Sequence, residues 1–92
     1  MVKNNGGLVM KRIDINEQVN VTAIGFRKNL AAYPRRMEFR GVTYNFIDAG
    51  IRCLVRRGSA IAEVVTLSDG IANYLLKTDN INGGWILLAS II

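Results

Sequence analysis

Apolar and polar residues alternate along most of this chain, and no window of useful length keeps a helical period. "LVMKRIDI" (8–15) reads as a first strand, with a turn at "NEQ" (16–18). "VNVTAIGF" (19–26) alternates Val19, Val21 and Ala23, then slips phase to Ile24 and Phe26. Such a slip marks a β-bulge, and Gly25 suits one. "RKNLAAYP" (27–34) breaks the alternation. It is the one place for a helical turn, near 28–33, with Pro34 ending it.

"RMEFRGVTYNF" gives two runs of opposite phase: Met37 and Phe39 before Arg40-Gly41, and Val42, Tyr44 and Phe46 after it. An X-Gly step between two such runs predicts a tight hairpin. "DAG" (48–50) turns the chain into "IRCLV" (51–55), which places Ile51, Cys53 and Val55 inward. "RRGS" (56–59) and "SDG" (68–70) bracket the β-branched run "AIAEVVTL" (60–67). "IANYLLK" (71–77) and "WILLASII" (85–92) follow, separated by the loop "TDNINGG" (78–84). About six to eight short strands at this spacing predict an all-β fold. The form expected is one small antiparallel barrel or sandwich, rich in meanders and Src-homology-3-like.

With 92 residues, the chain is expected to form a single domain, residues 1–7 being a flexible N-terminal segment. Half of the residues are apolar, which is a globular composition. "WILLASII" is apolar on both phases, so that strand is central or covered. At the chain end it either closes a barrel or joins a partner copy. In the second case Trp85, Ile86, Leu88 and Ile91 form the oligomer interface.

The residue inventory narrows the chemistry. One cysteine, Cys53, gives no intrachain disulfide and no multi-thiolate metal site. The absence of histidine removes the usual zinc ligands, the His-activated nucleophiles and the commonest acid–base group. The expectation is a protein that is not an enzyme, with no catalytic residue, metal, cofactor or small-molecule substrate. Asp69-Gly70 and Asp79 read as turn residues that bond the backbone. Glu63 shares the phase of Ile61 and Val65, an odd place for a carboxylate. No signal peptide is visible, and the longest apolar run falls far short of the roughly 20 residues that span a bilayer. A cytoplasmic protein with no membrane partner is expected.

Charge is what singles out the middle of the chain. The net charge is +5. Residues 27–57 carry eight bases against Glu38 and Asp48, eight minus two being +6, and the remainder carries four bases against five acids, or −1. Strict alternation turns Arg36 and Arg40 outward on one strand, and Arg52 and Arg56 outward on another. If the strand at 42–48 pairs with both, these rows share one face. The candidate nucleic-acid-binding residues are therefore Arg36, Arg40, Arg52, Arg56 and Arg57, with Arg35 and Lys28 at the edge. Guanidinium forks suit phosphate, although charged strands also serve solubility on small domains. Among the aromatics only Tyr33 falls outside the inward rows, so contacts to backbone phosphate, tolerant of sequence, are the form expected. The alternative is a protein-interaction or homodimerisation module using the apolar C-terminal strand.

Pro34, Phe39, Gly41 and Tyr44, with the later Asp69-Gly70, Tyr74-Leu75 and Trp85-Ile86-Leu87, carry a family resemblance over residues 34–92. The pattern resembles a family of short all-β bacterial domains of unknown function, also found beside Y-family lesion-bypass DNA polymerases. The resemblance implies a small barrel and a link to nucleic acid. It transfers no active site.

Overall fold

The structure, a computed structural model, describes residues 11–92. Seven strands follow one another: β1 (Arg12–Phe26), β2 (Ala32–Phe39), β3 (Val42–Asn45), β4 (Ile51–Arg57), β5 (Ala60–Ser68), β6 (Asn73–Thr78) and β7 (Trp85–Ile91). All pairings are antiparallel, in the order β3-β2-β1-β7-β6-β5-β4. β3 and β4 are the two margins of this sheet, which is not closed. The all-β expectation holds. None of the described residues is helical, and no helix is long and apolar enough to cross a membrane.

β1 makes the sheet fold over itself. Its first half pairs with β7 and its second half with β2. Asn16, at φ 57°, sits within the register shift between Asp14 and Glu17, and a second irregularity runs from Val21 to Ile24. Bulges increase twist and bend a strand. The β2–β3 hairpin is thereby carried over β5, β6 and β7. Met37, Phe39 and Phe46 on one side meet Val65, Leu67, Tyr74, Leu76 and Leu87 on the other. Tyr74 holds the middle, its ring 5.2 Å from that of Tyr44 and 5.8 Å from that of Phe46.

The linker after β3 stitches the layers at one end. The Phe46 N–H donates to Arg35 O at 3.0 Å and the Ile47 N–H to Ser68 O at 2.9 Å. Gly50 ends the linker at φ +57°, where a Cβ would collide with the Thr66 carbonyl. No other residue fits there.

Several sequence expectations change. The turn expected at 16–18 is instead the Asn16 bulge within one long β1. The helical turn expected near 28–33 is a non-helical turn, closed by the Leu30 N–H to Arg27 O at 2.8 Å, and Pro34 is a buried residue of β2. Tyr33 is a core residue, because Gly25 opposite it leaves space for its ring. β7 closes no barrel; it is central, between β1 and β6. Residues 1–7, and the beginning of the strand expected at 8–15, lie outside the described residues.

Arg40-Gly41 forms the hairpin turn as expected, with φ of 51° and 77°. Both positive angles are what a type I′ turn requires, and Arg40 carries the strain that glycine or asparagine would avoid. Turn carboxylates fix the other loops. Asp69 accepts the N–H groups of Ile71 and Ala72 at 2.9 Å each and the Tyr74 hydroxyl at 3.1 Å. Asp79 accepts the N–H groups of Ile81 and Asn82 and the side chain of Gln18. Each aspartate does the backbone work that its turn position implies.

Candidate nucleic-acid interface

The arginine row expected on one face does not form as drawn. β3 pairs with β2 alone and β4 with β5 alone, so no strand lies between the two cationic strands. In sheet order, β1, β7, β6 and β5 separate β2 from β4. The phase of β4 is also reversed. Arg52 stands opposite Val65, a residue with no exposed surface, so Arg52, Leu54 and Arg56 share the core-facing side. Ile51, Cys53 and Val55 point to the outer side, against the inward placement expected for them. All seven residues of β4 are exposed.

The β2–β3 arginines are largely engaged. Arg36 bonds Thr22 of β1 through Nε (2.9 Å to Oγ1) and Nη2 (3.4 Å to the carbonyl). Arg40 forms an ion pair with Glu17 and lies 4.8 Å over the Phe39 ring. Arg35 is exposed, its carbonyl tied to the Phe46 N–H. Lys28 is exposed in the turn between β1 and β2.

β4 and β5 make a different object. Seven residue pairs join them, from Ile51–Thr66 to Arg57–Ala60, while β6 pairs with β5 only from Val64 onward. Residues 54–63 therefore form a two-stranded ribbon beyond the rest of the sheet. Asn80, whose Nδ2 donates to Ile61 O, and Thr78, which accepts the Glu63 N–H, tether its base. Gly58, at φ 58°, takes the first turn position, where a type II′ turn calls for glycine. The apolar residues of the ribbon's core-facing side find no cover: Leu54 is 55% exposed and Ile61 48%.

Charge on the ribbon is graded. Arg52 Nε lies 2.7 Å from Glu63 Oε2, a diagonal cross-strand pair. This accounts for the carboxylate on an inward phase: Glu63 compensates an arginine on the same side of the ribbon. Arg56 and Arg57 form no ion pair among the described residues. Being consecutive in a strand, they point to opposite sides of the ribbon.

On the outer side of the ribbon's base lies a groove of about 490 Å³, lined by Val55, Arg57, Ala62, Val64, Lys77 and Leu88 with Ala60 and Asn80. Lys77, Asn80 and the two alanines are what sequence reasoning missed. The small residues Ala60 and Ala62 at one alternation phase were the available signal. The expected oligomer residues Trp85, Ile86, Leu88 and Ile91 are half-buried on β7, and both edges of that strand are paired, so it offers no strand seam to a partner.

Two other clusters are structural. Burial pushes the Asp69 carboxyl up, but the Ala72 and Ile71 N–H groups and the Tyr74 hydroxyl hold it below the ordinary value. Burial and the neighbouring Asp69 push the Tyr74 hydroxyl up to about 12. The N–H groups of Asn82 and Ile81 lower the Asp79 carboxyl. Asp69 and Asp79 are committed to turns in this way, and no group of three or more metal-ligating side chains occurs among the described residues. Comparison of the chain with family models, curated proteins and solved structures finds no match.

Proposed function

We propose that this domain is a non-catalytic module that binds the backbone of nucleic acid through the β4–β5 ribbon. Arg56 and Arg57 are its principal contacts, with Arg52 behind them. The observation that supports this most is the projection of an exposed ribbon with two arginines free of ion pairs at its tip. Guanidinium groups on both sides of a ribbon can engage two phosphate runs at once, with bidentate geometry. A two-stranded ribbon is also of a width that nucleic-acid grooves admit. The same cations disfavour self-pairing along the β4 edge. An antiparallel copy centred on Leu54 would set Arg52 against Arg56, and like charges directly opposite one another are destabilising. The family resemblance points in the same direction. A lone exposed thiol at Cys53 fits a reducing, cytoplasmic compartment.

The reading is tested with labelled DNA and RNA, single- and double-stranded, at low and moderate salt. Binding that weakens with salt, and is lost in Arg56→Glu/Arg57→Glu with the thermal transition unchanged, is expected. No binding at low salt removes the reading.

A further inference from the structure

We infer that the groove on the outer side of the ribbon holds unpaired nucleotides, so that the preferred ligand is single-stranded nucleic acid. This rests on the ribbon reading above and adds a second surface to it. The groove has a volume of about 490 Å³ and a floor of Val55, Ala62, Val64 and Leu88. That is within the range of roughly 300–1,000 Å³ typical of small-ligand sites. Arg57 and Lys77 lie on the strands flanking β5, and no acidic residue lines the groove. Arg57 is registered with Ala60 and Lys77 with Val64, so their Cα atoms are on the order of 16 Å apart across and along β5.

Two cations at this separation, with an apolar floor between them, match the alternating chemistry of a nucleotide strand: charged phosphates outside, flat apolar base faces inside. A duplex cannot use the floor, because its base faces are stacked on one another, and opening it costs a few kcal/mol per base. Asn80 adds a polar contact. One of its two Nδ2 hydrogens is donated to Ile61 O at 3.1 Å, which leaves the second N–H and the Oδ1 acceptor beside the groove for the edge of a base. The side chains that would receive the bases are small and aliphatic, so selectivity among bases is weak.

The test uses fluorescence anisotropy with a labelled single-stranded oligonucleotide of mixed sequence and the duplex of the same sequence. The proteins are wild type, Ala62→Leu, Lys77→Gln and Arg56→Glu. Ala62→Leu fills the floor without changing charge. It should weaken single-strand binding by at least about fivefold while leaving duplex binding within about twofold, the scale of losing the apolar contact of one base with an aliphatic floor. Lys77→Gln should weaken the single strand more than the duplex, which keeps the test open if Ala62→Leu fails to fold. Loss of binding in Arg56→Glu with both groove variants unaffected overturns the groove and leaves the ribbon standing. Duplex binding as tight as the single strand, or polyglutamate displacing the oligonucleotide at equal concentration, overturns it as well. If neither oligonucleotide binds wild type at low salt, the groove and the ribbon fall together.

Discussion

Two hairpins of this domain, β2–β3 and β4–β5, carry the same charge and fare differently. β2–β3 has Arg35, Arg36 and Arg40 against Glu38; β4–β5 has Arg52, Arg56 and Arg57 against Glu63. In the first, Met37 and Phe39 are buried beneath the fold of β1, and Arg36 and Arg40 are taken up by Thr22 and Glu17. In the second, Val65 and Leu67 reach the core but Leu54, Val55 and Ile61 at the projecting end lie open, and Arg56 and Arg57, like Arg35 in the first, form no ion pair among the described residues. Coverage by the rest of the sheet, and not arginine content, separates a structural hairpin from a candidate binding arm.

Truncation should expose that difference most strongly. Met37→Ala removes a side chain with no exposed surface and should cost about 2–5 kcal/mol in denaturant unfolding. Leu54→Ala, on the ribbon, should stay within about 0.5 kcal/mol. Equal costs would mean that the ribbon is packed and not projecting.

Titration should act on the covered half next. The Tyr74 hydroxyl ionises near 12 in place of 10.0, so the stability it confers is intact below pH 10 and is lost as pH rises towards 12. Asp69 is depressed, so its contribution is present above the ordinary value of 3.8 and is lost as pH falls below it. Tyr74→Phe should flatten the alkaline arm of a stability–pH curve and leave the ribbon's binding unchanged. An unaltered alkaline arm would contradict the Asp69–Tyr74 contact.

The smallest expected effect belongs to Glu63→Gln. The Arg52–Glu63 pair is partly exposed and should contribute about 0.2–1 kcal/mol. Its neutralisation should raise affinity for a polyanion slightly, since it frees one cation. A fall in affinity would mean that Glu63 positions Arg52 for the ligand.

The two hairpins also differ in how far they could be read from sequence. Alternation located β2, β3, the Arg40-Gly41 turn and the inward Met37 and Phe39, because that hairpin has one covered side. Around β4 the same alternation grouped Ile51, Cys53 and Val55 correctly on one face and then chose the wrong face as inner. Period-2 patterning says which residues share a side, and the cover on that side comes from strand order. Order depended on β1 continuing through Asn16, where a polar triplet looked like a turn. Glu63 held the missing clue: a carboxylate beside Val65 and Leu67 needs a cation on the same side, and only Arg52 or Arg56 could supply it. Arg57 and Lys77 could not be joined before β5 was known to lie between their strands.

The salt dependence of oligonucleotide affinity, compared between charge reversals in the two hairpins, tests the central claim most directly. Arg56→Glu/Arg57→Glu should abolish binding at moderate salt, whereas Arg35→Glu/Arg36→Glu, with the same change in net charge, should keep most of it and a slope of log affinity on log salt close to that of wild type. Equal losses for the two pairs would show that net charge alone draws the ligand, and a greater loss for Arg35→Glu/Arg36→Glu would put the interface on the wrong hairpin.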